Sequence, residues 1–141
     1  MVNKVRVGID PGVKTGLCAV ANGEIATLLS CAVPVAMEFV RTIRDLPALE
    51  GADILVLIED ARQRTWFGDS GPEVWQGAGS IKRECAIWES FCEYHRIPFK
   101  MVKPQVGGTK WTHKQFMMAT GYRKGRTNSH QRDAALLVWG L

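Results

Sequence analysis

The sequence predicts an α/β domain: a mixed five-stranded sheet in which three antiparallel strands are followed by parallel crossovers, with helices on both faces. Three observations predict it. Strand-like stretches near the start of the chain meet at Asn22-Gly23, the strongest short hairpin signal. A continuous apolar run, DILVLIE, follows a helix-like pattern and is too short for a typical helix, so it reads as a strand covered on both faces. From there helical and extended patterns alternate, as crossover connections require.

Lys4 to Asp10 (KVRVGID) alternates apolar and polar residues and stops at Pro11-Gly12, which places Asp10 at the C-terminal end of a strand. Thr15 to Val20 and Glu24 to Val33 are the next two strands. Val35, Phe39, Val40, Ile43 and Leu46 recur with a helical period, and Pro47 helps to end that helix. Asp53 to Glu59 is the fourth strand, with a carboxylate at its end. Arg62 to Ala78 is rich in Gly, Pro, Asp and Ser and reads as a long loop carrying Trp66, Phe67 and Trp75. It leads into a helix expected over about Ser80 to His95. Ile97 to Val102 is a short fifth strand and Gly107-Gly108 a turn. His113 to Ala119 forms a short helix and Ser129 to Gly140 the closing one. There are no repeats, linkers or low-complexity tracts.

With 141 residues and 46% apolar content the chain can build one core, so a single domain over 1–141 is expected. No apolar run approaches the roughly 18 to 20 residues of a membrane span, and Met1 to Arg6 lacks a signal peptide's apolar stretch, which points to a cytoplasmic protein without membrane contact. The cysteines, Cys18, Cys31, Cys85 and Cys92, show no CxxC pairing and read as buried thiols rather than a zinc site. Net charge is +4, but its placement says more. Nine of the 18 Lys and Arg lie between Arg96 and Arg132, a stretch without Asp or Glu. A solvated face mixes both signs, so this one implies a polyanionic partner, most commonly a phosphate backbone.

Open α/β sheets bind ligands beyond the C-terminal ends of their strands, where Asp10 and Glu59 fall. If those strands are neighbours the carboxylates converge, and their repulsion calls for a cation: Mg²⁺ or Mn²⁺ bound through oxygen. Asp133, near the start of the closing helix, can supply a third ligand. His130, three residues earlier, shares its helical face and can ligate or relay a proton. Two such ions roughly 4 Å apart can activate water and stabilise both attacking and leaving oxygens of a phosphodiester. Taken singly each residue has a plainer explanation, since Asp before Pro-Gly caps turns and Asp in a first helical turn suits the helix dipole.

GIDPGVKTG (8–16), LIED (57–60) and SHQRDAALL (129–137) resemble, in order and approximate spacing, the three catalytic blocks of RuvC-type Holliday junction resolvases of the ribonuclease H-like superfamily. The resemblance implies a metal-dependent endonuclease that resolves four-way junctions by paired nicks, with two Mg²⁺ or Mn²⁺ ions and no small-molecule cofactor. Asp10, Glu59, His130 and Asp133 match the catalytic metal ligands. Lys103 and Lys114 match two basic residues that bind phosphate and assist cleavage, Lys114 being placed with the catalytic set and Lys110 as a substitute. Further phosphate contacts are expected from Arg123, Lys124 and Arg126. Trp66 and Phe67 are candidates for a base-stacking aromatic, several residues further along than the family pattern has it. The Ser80 to His95 helix carries Ile81, Cys85, Trp88 and Cys92 in one stripe, similar to the family's dimer helix, and core packing explains the stripe equally well. On the dimer reading, Trp88→Glu should give a folded monomer.

Three other readings compete. Sugar kinases and actin-like ATPases also place a DxG turn after a first strand, but they need two such domains. A nuclease of the same fold could act on flaps, forks or RNA-containing duplexes. A non-catalytic module could hold branched DNA with the basic stretch alone.

Overall fold

The computed structural model describes residues 1–64, 72–104 and 110–141, with 72–78 described by their backbone alone. The strands are β1 (Lys4–Asp10), β2 (Lys14–Ala21), β3 (Glu24–Ala32), β4 (Asp53–Glu59) and β5 (Phe99–Val102), and they form one sheet in the order β3-β2-β1-β4-β5. The first three are antiparallel to one another; β4 runs parallel to β1, and β5 parallel to β4. This is the mixed sheet expected. At the β2–β3 turn Asn22 and Gly23 have φ of +48° and +85°, the paired left-handed residues of a tight hairpin. The Asn22 side chain accepts hydrogen bonds from the Asn3 and Lys4 amides, which ties the hairpin to the start of β1.

Among the described residues four helices cover the sheet: α1 (Val33–Asp45), α2 (Pro72–Tyr94), α3 (His113–Thr120) and α4 (Ser129–Val138). Strand alternation divides the core into two layers. Val5, Val7 and Ile9 of β1, Leu17 and Ala19 of β2 and Val56 and Ile58 of β4 pack with Ala36, Val40 and Ile43 of α1 and Trp88 and Cys92 of α2. On the other face Cys18, Val20 and Leu57 pack with Phe116 of α3 and with Ala134, Ala135 and Val138 of α4. The apolar run of β4 is thus covered on both sides, as its composition predicts. Cys18, Cys85 and Cys92 are buried, Cys31 is half-buried and all four are free thiols. No helix among the described residues is long and apolar enough to cross a membrane.

Two expectations are corrected. The segment read as loop to Ala78 is helical from Pro72. Proline in a first helical turn sacrifices no hydrogen bond, because those N–H groups have no intrahelical partner, and two glycines in a long helix cost only about 1 kcal/mol each. The supposed dimer stripe is core: Cys85, Trp88 and Cys92 are each 0% exposed within one chain, and Ile81 is 40% exposed. Trp88→Glu would therefore bury a charge against the sheet and prevent folding rather than separate subunits. Smaller differences lie at element ends. Pro34 starts α1 two residues early, β5 begins at Phe99 after Pro98, and α4 stops at Val138 ahead of Gly140, whose φ is +87°. The turn expected at Gly107-Gly108 and the aromatic residues Trp66 and Phe67 lie outside the described residues.

Candidate metal centre

Strand alternation determines where the acidic residues go. Gly8 and Asp10 share a face of β1, and Leu57 and Glu59 share a face of β4; both are the face that α4 covers. The register that sets Ile9 beside Ile58 brings Asp10 and Glu59 to the same end of neighbouring strands. Helix α4 lies across β1 and β2 at Gly8 and Gly16, two of the three glycines of the first motif. A Cβ on Gly8 would meet the Ala134 carbonyl oxygen, and one on Gly16 would meet that of His130. This backbone approach delivers His130 and Asp133 to Asp10. The Asn128 side chain begins the helix with a reciprocal capping box to Gln131, which fixes where its first turn starts.

His130 Nδ1 stands 3.7 Å from Asp10 Oδ2, a through-space pair rather than a hydrogen bond. Burial pushes the Asp10 carboxyl up to about 7, and the charges of Glu59 and Asp133 add to the rise against the opposing charge of Lys110. Burial also raises Glu59, with Lys110 opposing and Asp133 adding. Lys110 Nζ donates to Asp133 Oδ2 at 3.0 Å, and that bond, with the neighbouring carboxylates, raises the lysine. The three carboxylates therefore lie within one another's field, with Lys110 as a cation acting on all three and Arg64 acting on Glu59 as well.

Structural residues hold this arrangement. Thr15, fully buried, donates to the Gly12 carbonyl at 2.9 Å and closes the turn after Asp10. Cys85 of α2 contacts the Glu59 carbonyl at 3.5 Å. Asp60 beside it belongs to a clamp. Its carboxylate accepts from Arg62 Nε at 2.7 Å, and Arg62 also reaches Glu89 of α2 at 3.1 Å. Burial acts to raise Asp60, but the hydrogen bonds from Arg62 and Gln63 carry it below the usual carboxylate range. Of the two acids in LIED, Asp60 is engaged and Glu59 faces the site. Arg132 donates to the Trp111 carbonyl at 2.9 Å and to the Thr127 carbonyl at 2.8 Å, which joins the residue after Lys110 to α4. It belongs to the scaffold despite lying in the basic stretch, and no sequence signal separates it from the other cations there.

The remaining expected residues divide between the two ends of the sheet. Lys103 is exposed one residue beyond Val102, the β5 partner of Glu59, and so stands at the carboxylate end. Lys114 is exposed in the first turn of α3 and makes no ion pair with the carboxylates among the described residues; Lys110 has that place instead. Arg123 and Lys124 line a cavity at the opposite end, and Arg126 is exposed. Among the described residues no group of three or more His, Cys, Asp and Glu side chains is set closely enough to hold a metal ion. No protein-family model matches the chain, and no curated protein matches it.

Proposed function

We propose that this protein is a divalent-metal-dependent endonuclease of branched DNA, of the RuvC type, that resolves four-way junctions. The observation that carries the reading is that Asp10, Glu59 and Asp133 stand at one end of the sheet within one another's field, not drawn as tightly together as a bound ion would require, two of them with carboxyls raised by burial and shared charge, beside Lys103 and Lys110. A surface that only bound phosphate would gain nothing from buried negative charge. A cation among these carboxylates would relieve their repulsion.

Asp10, Glu59, Asp133 and His130 would hold the metal, and a set of hard oxygens with one imidazole suits Mg²⁺ or Mn²⁺. When bound, a pair of such ions activates water and stabilises the attacking and leaving oxygens of an in-line displacement. Lys110 releases Asp133 and turns to a phosphate oxygen of the strand. Lys103, on the same sheet edge, orients the backbone, and Lys114 contacts a neighbouring phosphate. His130 would serve either as that imidazole ligand or, unligated, as the group that takes up the attacking water's proton and returns it to solvent, since its one lone pair cannot do both.

Incubation with a four-way junction, a flap, a linear duplex and an RNA/DNA hybrid in Mg²⁺, Mn²⁺ or EDTA tests the proposal. The junction should be cut in either metal and not in EDTA. Preferential cutting of the flap or hybrid would favour another nuclease of the same fold, and tight junction binding without cutting in any metal would leave a binding module. Binding in EDTA should weaken steeply with salt, since each neutralised phosphate contributes about −0.9 to the slope of log K against log[salt]. A slope of several units is expected, and a flat response would place the basic residues away from DNA.

Paired nicks on a two-fold symmetric junction call for two identical sites, so the active species is proposed to be a homodimer. The exposed side of α2 carries Ile87 and Tyr94, 49% and 83% exposed, on the face opposite Trp88. Ile87→Glu should give a folded monomer in light scattering that nicks but does not resolve. A wild-type monomer that makes paired nicks would rule the dimer out.

A further inference from the structure

The cavity formed by Glu24, Ile25, Tyr122, Arg123 and Lys124 encloses about 360 Å³ and lies at the far end of the sheet from the carboxylates. The strand registers fix its place: Glu24 pairs with Ala21, and Ala21 with Val5, whereas Asp10 pairs with Gly16. From Val5 to Asp10 the sheet rises roughly 17 Å at ~3.3 Å per residue. The cavity and the carboxylate end are joined by one surface. Helix α3 packs through Phe116 on the same sheet face as α4, begins just after Lys110 and ends at Gly121, where the cavity starts. Lys110 and the exposed Lys114 stand at one end of this track, and the exposed Arg123 and Lys124 at the other. Between them no acidic residue interrupts the chain.

Arg123 is held in place. Its Nη1 donates to the carbonyls of Met117 and Tyr122, at 3.0 and 2.8 Å, against the C-terminus of α3. Arg123 and Lys124 both line the cavity and both are exposed. Glu24, the acidic residue among those that line the cavity, opposes an anion there.

Resting on the nuclease reading, we propose that Arg123 and Lys124 form a second DNA clamp, which grips the phosphate backbone of a duplex arm about five base pairs away from the phosphate at the carboxylates. The spacing follows from the ~17 Å rise of the sheet and the 3.4 Å rise of each base pair. Substrate choice then includes a length requirement, since an arm too short to reach Lys124 loses the distal contacts while keeping every contact at the cut.

The experiment is binding by fluorescence anisotropy, in EDTA, to four-way junctions whose arms are 4, 6, 8 and 12 base pairs long and are closed by non-ionic linkers. Wild-type affinity should fall about tenfold between 8 and 4 base pairs, with the step near 5 or 6. In Lys124→Gln combined with Arg123→Gln the step should shrink below about twofold, while affinity for the 4-base-pair junction stays at the wild-type value. Because Arg123 also caps α3, Lys124→Gln alone is the second variant, expected to halve the step on a logarithmic scale with melting unchanged. Glu24→Gln should act with the opposite sign, strengthening binding to long arms two- to threefold and to the shortest not at all. Equal steps in the wild type and both variants, or no step in the wild type, would overturn the clamp even if the junction is bound and cut. Absence of any junction binding and cutting would instead reject the nuclease reading on which it rests.

Discussion

At pH 8 in EDTA, Asp10→Asn is expected to melt on the order of 10 °C above the wild type, and in Mg²⁺ to cut branched DNA at no more than about a thousandth of its rate. Both effects have one origin. The carboxyl group titrates at about 7 in the folded protein against 3.8 for an ordinary aspartate, because burial and the charges of Glu59 and Asp133 disfavour its ionised form. Each unit of such a shift is worth about 1.4 kcal/mol, so ionised Asp10 costs the fold ~3 kcal/mol after allowance for its residual solvent contact. At about 3 °C per kcal/mol for a chain of this size, that gives the expected rise in melting temperature. On the proposed function, losing a ligand charge to the metal would remove several kcal/mol of stabilisation from the cleavage transition state, which sets the thousandfold.

The pH dependence follows from the direction of the shift. Since the folded value lies above the unfolded one, the stability associated with protonated Asp10 is fully present below about pH 4 and is lost as pH rises through about 7. The melting difference between Asp10→Asn and wild type should therefore be near zero at pH 4, grow from there to about pH 7 and level off above it. Mg²⁺ at pH 8 should raise the melting temperature of the wild type, by binding the folded state alone, and leave the variant unmoved. Calorimetry across pH with and without Mg²⁺ checks both statements. A variant that melts with the wild type at every pH would mean that Asp10 carries no such electrostatic cost, and undiminished cutting would remove it from the ligand set.

The parts of this site that could be read from sequence obey short-range rules. The hairpin needed only Asn22-Gly23. The positions of Asp10 and Glu59 needed only strand ends and alternation, which also put both side chains on the face of α4. What escaped depends on neighbours distant in the chain. Whether Trp88 faces the sheet or a partner is undetermined by helical spacing, because both give the same stripe. Lys110 rather than Lys114 meets Asp133 because Arg132 anchors Trp111 to α4, a contact between side chain and backbone carbonyl that leaves no pattern. The clamp of Asp60, Arg62 and Glu89 joins residues 27 positions apart, and LIED alone offers two acids with nothing to tell the engaged one from the free. The start of α2 was hidden for a different reason: proline and glycine signal loops on average, and Pro72 sits where a helix tolerates it.

Gly16→Ala should lower stability by about 3 kcal/mol and depress cutting more than its effect on folding explains. The added methyl would fall on the His130 carbonyl oxygen and crowd its carbon and Cα, all backbone atoms of α4. A side chain could rotate away, whereas a helix packed through Ala134, Ala135 and Val138 must move as a body. Overpacking a close-packed contact typically costs 1–3 kcal/mol, and here rigid backbone on both sides puts the expected cost near the upper end. Movement of α4 carries His130 and Asp133 with it, away from Asp10. Gly8→Ala meets Ala134 in the same way and should behave alike. Gly79→Ala is the contrasting case: it lies inside α2 with nothing near its missing Cβ, so the better helix former should stabilise by up to about 1 kcal/mol. Denaturant titration of the three variants, with cutting rates measured where each is folded, separates the effects. If Gly16→Ala were as stable as the wild type and cut as fast, the close seat of α4 on β1 and β2 would not be what brings the carboxylates together.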